Sequence, residues 1–428
     1  SHQYSTTKRN SFSEINFRQH RQSFYGLPSV IEDDYILLNF NPVQRLTYFS
    51  ITSDWKWYDR IIKGFSLNSF YTADSFSTRE NEVSFSSKLR VDFGAFNLTA
   101  IPKINVLSTS FKEDFYTRLE NNFFSGVGGI SIYTSKEKGR FKFRLGIQSY
   151  FITGDEYSNK NLYYFPDVMI AFKPENSNFA PFLNVNGEFY QNSFRSLSHS
   201  NPYVAPAIKL MSTFSPYKVE LGARSNLSQG WEFQWNLFYK SEENRPMFRN
   251  FGKNFDINNV ISYRFGNSFE VLYPSLKNSG IRAKLRGVFK NGGRINFEAA
   301  YFNYELNNKT PQLFEALNLP EITLEFDGTL KISNKIFFQL ILNYVGVRVN
   351  SYRDLFLGQN IQDSPVLFET LNPFTRIDSN IQYQLNERWE LFLRGKNLLN
   401  QNQYFWSNYR VYPLQILLGL KYNFDVSF

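Results

Sequence analysis

Leu414–Phe428 reads LQILLGLKYNFDVSF, and its alternation decides the fold. Leu414, Ile416, Leu418, Leu420, Tyr422, Phe424, Val426 and Phe428 fall on one parity. Gln415, Gly419, Lys421, Asn423, Asp425 and Ser427 fall on the other, with Leu417 alone out of place. A period of two is that of a strand with one apolar and one polar face. Chain ends of soluble domains usually fray in polar residues, whereas this strand is apolar to its last residue.

The same pattern recurs throughout the chain. In EITLEFDGTLKIS (321–333), Ile322, Leu324, Phe326 and Leu330 alternate with Glu321, Thr323, Glu325, Asp327 and Lys331. RIDSNIQYQL (376–385), WEFQWNLFYK (231–240), FKFRLGIQSYF (141–151) and GIRAKLRGVFK (280–290) repeat it. Such runs exceed the usual strand length of about 5 to 6 residues. Tight polar turns near 138, 176, 229, 292, 334 and 387 alternate with long segments at 153–166, 241–258, 305–320 and 348–375. Gly and Asn in those turns supply the positive φ that hairpins need. An up-and-down meander with two unlike ends follows, read as a single domain over 1–428, with 1–30 expected to be irregular or partner-contacting.

Composition agrees. Of 428 residues, 18% are aromatic, with 46 Phe and 27 Tyr. Mean hydropathy is −0.40, and no apolar run approaches the roughly 18 residues of a membrane helix. Long strands, loop asymmetry and aromatic excess together predict an all-β, closed, antiparallel transmembrane barrel, of which the sequence places about 16 to 20 strands. Lipid cannot hydrogen-bond a backbone, so the sheet has to close, the last strand against the first. The apolar parity then faces lipid and the polar parity the lumen. A bacterial outer membrane is the expected location, and the bilayer the first partner.

The chain begins SHQYSTTKRN, with neither an initiator Met nor a targeting segment, so a removed signal or a further N-terminal piece is expected. With no cysteine, there is no disulfide, thiolate nucleophile or cysteine metal site. His2, His20 and His199 lack metal spacing, so no metal or cofactor is expected. Ser198 and His199 in SLSHSNPY find no assignable acidic partner and read as a polar loop, so no enzyme activity is expected. Gly126, Gly128 and Gly129 lack the Lys of a phosphate loop and are read as bending a strand.

The formal charge is +9. Arg282, Lys284, Arg286 and Lys290 share one parity of one run, and Lys142, Arg144, Lys218, Arg224, Arg394, Lys396 and Lys421 repeat the arrangement. These residues are expected to line the lumen, either as a path for anions or as a salt network with Glu220, Glu232, Glu298, Glu321, Glu325, Asp327 and Glu390. Acidic residues on the same parity favour the network. Charge dispersed along strands argues against nucleic acid. Trp55, Trp57, Tyr163, Tyr164, Trp389, Tyr404 and Trp406 are expected to anchor at membrane interfaces. A ligand-stacking role for Tyr404, Phe405, Trp406 and Tyr409 is the lesser reading.

The segment ERWELFLRGKNLLNQNQYFWSNYRVYPLQILLGLKYNF resembles the end of TonB-dependent transporter barrels. The likeness lies in a turn segment, Asn397, Leu398, Leu399, Asn400 and Tyr404, and in a last strand closing in Tyr422 and Phe424. ALNLPEITLEFDGTLKISNKIFFQLILNYVGVR and SNPYVAPAIKL resemble barrel segments of the same group from Bacteroidota. An alternating last strand ending in an aromatic also resembles the signal read by the barrel assembly machinery. Members place a plug domain ahead of a barrel of about 22 strands, which implies about 18–22 strands here; residues 1–60 offer no room for a plug, so either a plugless relative or a sequence that omits an N-terminal piece is expected. Two functions are implied: passage of a solute through the lumen or a partner-gated channel, or a structural subunit of a larger envelope complex for assembly, secretion or surface lipoproteins.

Overall fold

The computed structural model describes residues 2–27, 41–94, 96–154, 161–175, 178–251, 262–307, 313, 315–353 and 365–424. Its main sheet begins with β1 (His2–Ser5), β2 (Arg9–Ser23), β3 (Val43–Trp57), β4 (Ile62–Asp74), β5 (Arg79–Phe93) and β6 (Phe96–Phe111). It continues through β7 (Asn121–Lys138), β8 (Phe141–Gly154), β9 (Leu162–Phe172), β10 (Phe179–Tyr190), β11 (Thr213–Ser228) and β12 (Trp231–Glu243). Short β13 (Met247–Asn250) and β14 (Phe269–Leu272) leave the sheet, which resumes with β15 (Ser275–Val288), β16 (Arg294–Asn307), β17 (Ile322–Lys331) and β18 (Ile336–Val345). After β19 (Arg348–Arg353) and β20 (Val366–Leu371) come β21 (Phe374–Gln384), β22 (Trp389–Lys396), the hairpin β23 (Tyr404–Trp406) and β24 (Tyr409–Arg410), and β25 (Gln415–Tyr422).

The main sheet has 19 strands. Each pairs antiparallel with the next, including across the insertions: β12 with β15, β18 with β21, and β22 with β25. Side-chain parity sorts the faces. On β8, Phe143, Leu145 and Ile147 are exposed, while Tyr150 and Ile152 on the opposite face are buried. On β25, Ile416, Leu418, Leu420 and Tyr422 are likewise exposed, as are Leu414 and Phe424 beside it. Val426 and Phe428 lie outside the described residues. Trp55 and Trp57 stack at the turn end of β3, and Trp389 lies 4.6 Å from Tyr422 at the same end. β7, with 18 residues, is about 60 Å long at about 3.3 Å per residue. It therefore outreaches a hydrocarbon layer of about 30 Å even when tilted.

Connections follow the expected asymmetry. One end holds 58–61, 94–95, 139–140, 173–178, 229–230, 289–293, 332–335 and 385–388. Gly139 and Gly230 there take φ of 58° and 84°, the left-handed region that admits glycine at least cost. The other end joins β2 to β3, β6 to β7, β8 to β9, β10 to β11, β12 to β15, β16 to β17, β18 to β21 and β22 to β25, and its shortest link is 75–78 between β4 and β5.

Three expectations change. Residues expected to be irregular near the N-terminus form β1 and β2, although alternation there is broken by His20, Arg21 and Gln22. SNPYVAPAIKL forms no wall strand: Pro202 and Pro206 remove ladder donors, and Val204, Ala205, Ile208 and Leu210 are buried in a loop core. Segments 241–258 and 348–375 are not simply loops, because β13, β14, β19 and β20 form a second, four-stranded sheet, ordered β14-β13-β19-β20. Among the described residues, β25 pairs with β22 and β1 with β2, and no ladder joins the two edges.

Loop contacts nevertheless bring the sheet ends together. The Tyr25 hydroxyl, just after β2, donates to the Arg410 carbonyl at 2.9 Å. The rings of Tyr25 and Tyr409 lie 5.0 Å apart.

Candidate functional site

The largest apolar core lies at the long-loop end. Phe24, Phe111, Phe115, Phe194, Val204, Phe251, Phe269, Trp406 and Tyr409 pack into one cluster, drawn from five connections and the end of β6. The rings of Tyr203 and Tyr409 stack at 3.3 Å, and those of Phe115 and Phe251 at 3.4 Å. Wall strands reach into this cap. The Glu80 carboxylate of β5 accepts from Thr109 Oγ1 at 2.8 Å and from the backbone N–H groups of Phe194 and Arg195 at 2.6 and 2.9 Å. These open the short helix α1 (Phe194–Ser200), whose N-cap is Ser193. An acidic group at the free N–H groups of a helix start is favourable. Glu82 adds an ion pair to Arg195 at 2.6 Å.

Buried charges rivet the second sheet to the cap. Arg249 Nε meets Glu270 at 2.6 Å, and the Tyr116 hydroxyl donates to the same carboxylate at 2.7 Å. Burial, with Glu270 beside it, pushes the Tyr116 phenol up. Arg264 donates to the Phe115 carbonyl at 2.6 Å and pairs with Glu113 at 3.1 Å. Arg348 donates to the carbonyls of Phe405 and Tyr404 at 2.6 and 2.7 Å, and burial pulls its guanidinium down to about 10. It stays charged at neutral pH. These contacts seat the 397–414 connection on β19.

That connection holds the family-like turn. Asn397 and Asn400 take φ of 50° and 48°. The Asn397 amide donates to the Tyr412 carbonyl at 3.0 Å, and Asn400 Oδ1 accepts from Leu414 N at 3.0 Å. Both asparagines thus fix the entry into β25, while Leu398 and Leu399 are exposed and Tyr404 begins the hairpin. Trp406 departs from the interface role expected of it: it is 8% exposed, 5.3 Å from the Phe248 ring, inside the cap.

The basic residues singled out from sequence are largely paired. Lys142 meets Glu137 at 3.0 Å, Arg144 meets Asp167 at 2.9 Å and Lys218 meets Glu220 at 3.2 Å. Arg282 and Lys284 share Glu298 at 3.1 and 2.8 Å, and Lys421 lies 3.9 Å from Glu390. Arg224 donates to Gln234 at 3.1 Å, and the Arg394 guanidinium sits 5.5 Å from the Phe392 ring. Arg286 borders a cavity near the 229–230 turn, and Lys396 ends β22. Lys290 does not share the strand with Arg286, because β15 stops at Val288 and the chain turns. The sequence reading missed Glu80, Arg195, Arg249, Arg264 and Glu270, which work between connections far apart in the chain.

Other candidates are structural. Ser198 Oγ donates to the Arg195 carbonyl at 3.0 Å, and His199 Nδ1 lies 2.7 Å from it, so the two serve the helix backbone. A Cβ on Gly129 would meet the Tyr150 ring at 2.6 Å, so this glycine makes room for an inward tyrosine. Among the described residues, no group of three or more His, Asp or Glu could hold a metal.

Beneath the cap, against β10, β11 and β12, lies a cavity of about 340 Å³ lined by residues that include Tyr190, Asn192, Lys240, Arg245, Phe248, Asn318 and Trp406. A second cavity, of about 330 Å³, shares Tyr190, Lys240, Arg245 and Leu319 with it and reaches Asn278 and Arg282. Lys240 meets Glu188 at 3.3 Å and Glu242 at 3.1 Å, and Arg245 meets Glu242 at 3.1 Å.

No protein-family model and no curated protein matches the chain. Solved structures do. The FrpB iron transporter from Neisseria meningitidis superposes with a TM-score of 0.68 at 11% identity, over 97% of this chain and 69% of that one. The siderophore receptor PirA from Acinetobacter baumannii gives 0.68 at 12% identity, over 98% and 69%. The ferripyoverdine receptor of the outer membrane of Pseudomonas aeruginosa gives 0.62 at 11% identity, over 98% and 63%. The chain has the β-barrel fold of these receptors, as its C-terminal resemblance implied.

Proposed function

We propose that the chain is an outer-membrane barrel related to TonB-dependent transporters, which passes a solute through its interior when the loop cap is displaced. The observation that carries this reading is the cap. A core of aromatic residues with buried ion pairs covers the long-loop end, so passage requires opening there. An apolar outer face with aromatic ends suits a bilayer, and the alternating last strand suits recognition by the barrel assembly machinery. Closure of the cylinder belongs to the same proposal, since unpaired strand edges are not tolerated in hydrocarbon.

A second reading, a non-transporting subunit of an envelope complex, draws support from the charge compensation along the wall, where Glu298 answers both Arg282 and Lys284. Planar-bilayer conductance tests the choice. Transport predicts small currents from the native protein and larger ones once Arg249→Met loosens the cap. A barrel that stays shut with the cap loosened, and copurifies with fixed partners, overturns transport in favour of the subunit.

A further inference from the structure

We infer that the paired cavities beneath the cap form a binding site for a small, neutral, hydroxyl-rich solute of one or two rings. The inference deepens the transport reading by naming what the interior would recognise. Its volumes, about 340 and 330 Å³, lie at the lower end of the roughly 300 to 1,000 Å³ of ligand sites.

Charge excludes the obvious alternatives. Lys240 is answered by Glu188 and Glu242, Arg245 by Glu242, and Lys218 by Glu220. An anion entering here would meet cations already neutralised by close carboxylates, and its desolvation would go uncompensated. A cation fares no better.

Hydrogen-bonding capacity is what remains open. Asn318 Oδ1, Asn278 Oδ1 and Arg245 Nε are buried and have no hydrogen-bond partner, which is costly unless a ligand or water supplies one. Two are acceptors and one is a donor. A hydroxyl donates one hydrogen and accepts through two lone pairs, so a polyol satisfies both kinds at once. The Asn318 amide nitrogen is committed to the Phe248 carbonyl at 2.9 Å, which fixes the carbonyl oxygen of that side chain in place. Trp406 and Phe248 supply the apolar wall that the C–H face of a sugar-like ring packs against. Tyr190, 48% exposed, marks the mouth.

The test uses the full chain in a polyoxyethylene detergent, because sugar-headed detergents would compete. Maltose, glucose 6-phosphate and a ferric catecholate are titrated by calorimetry, with Trp fluorescence as the second readout. Maltose is expected to bind saturably, and more tightly than the other two. Asn318→Gly, which tolerates the φ of 58°, should weaken maltose about tenfold, the loss of one buried acceptor. If Asn318→Gly does not fold, as judged by migration of the unboiled barrel, Asn278→Ala, which removes the second unpartnered acceptor, replaces it with the same direction expected. Absence of maltose binding, tighter binding of either anionic probe, or maltose binding indifferent to these substitutions overturns the inference. Binding without any conductance would leave the site standing and remove transport; conductance without binding would do the reverse.

Discussion

The Glu80 carboxylate accepts a 2.6 Å hydrogen bond from the backbone N–H of Phe194, joining a wall strand to a helix far along the chain. Both residues are almost fully buried. The wall therefore holds its own cap through an acidic group set against a helix start, and several consequences can be measured.

Glu80→Gln leaves one carbonyl oxygen where two carboxylate oxygens served Thr109, Phe194 and Arg195. Loss of charge-assisted bonds to buried donors is expected to cost about 1.5–3 kcal/mol. Limited proteolysis should show faster cleavage within 191–212 while the wall strands stay protected. Unchanged cleavage would mean that α1 is held by its apolar packing alone.

Arg249 and Glu270 form a pair in which both side chains are buried. Arg249→Met leaves Glu270 with Tyr116 and the more distant Arg353 at 3.8 Å, and is expected to destabilise the cap by about 3–5 kcal/mol. Adding Glu270→Leu should recover much of that loss, because the buried carboxylate is no longer left without Arg249. Thermal unfolding followed by near-ultraviolet dichroism of the cap aromatics measures both.

Neighbouring leucines on β25 distinguish the two faces. Leu418 lies on the exposed apolar parity, and Leu417 pairs opposite Arg394 on the polar one. Leu418→Arg should cost about 2–4 kcal/mol of folding free energy in lipid vesicles, the figure for a cation at a bilayer midplane. Leu417→Arg should cost less than half as much. Equal costs would show that β25 does not present one face to hydrocarbon.

Asn397 combines a φ of 50° with three hydrogen bonds, to Asp378, Gln403 and Tyr412. Asn397→Ala loses the amide and strains the backbone, with an expected loss of about 1–3 kcal/mol. Asn397→Gly should lose less, since glycine tolerates the conformation. The difference between the two, read from denaturant unfolding in detergent, separates the turn from the hydrogen bonds.

The alternation in Leu414–Phe424 and in 141–151 was enough to establish long strands, their apolar face and the unlike ends of the meander. Strand parity is local: each side chain's neighbour two residues on shares its environment, so the pattern is written in the sequence. The ion pairs of Arg282 and Lys284 with Glu298 were legible for the same reason, since the partners lie on one face of adjacent strands. Tertiary structure alone decided the cap. Tyr25 bonds to Arg410, Asn267 to Phe24 and Arg264 to Phe115, contacts between connections whose separation in the chain carries no periodic signal. It also decided that Trp406 is a buried core ring, and that Asn318 and Asn278, each with an unpartnered atom, line two cavities that Arg245 borders in common. A strand's faces follow from its own geometry, whereas a cap exists only where many distant connections are brought to one end by the sheet that carries them.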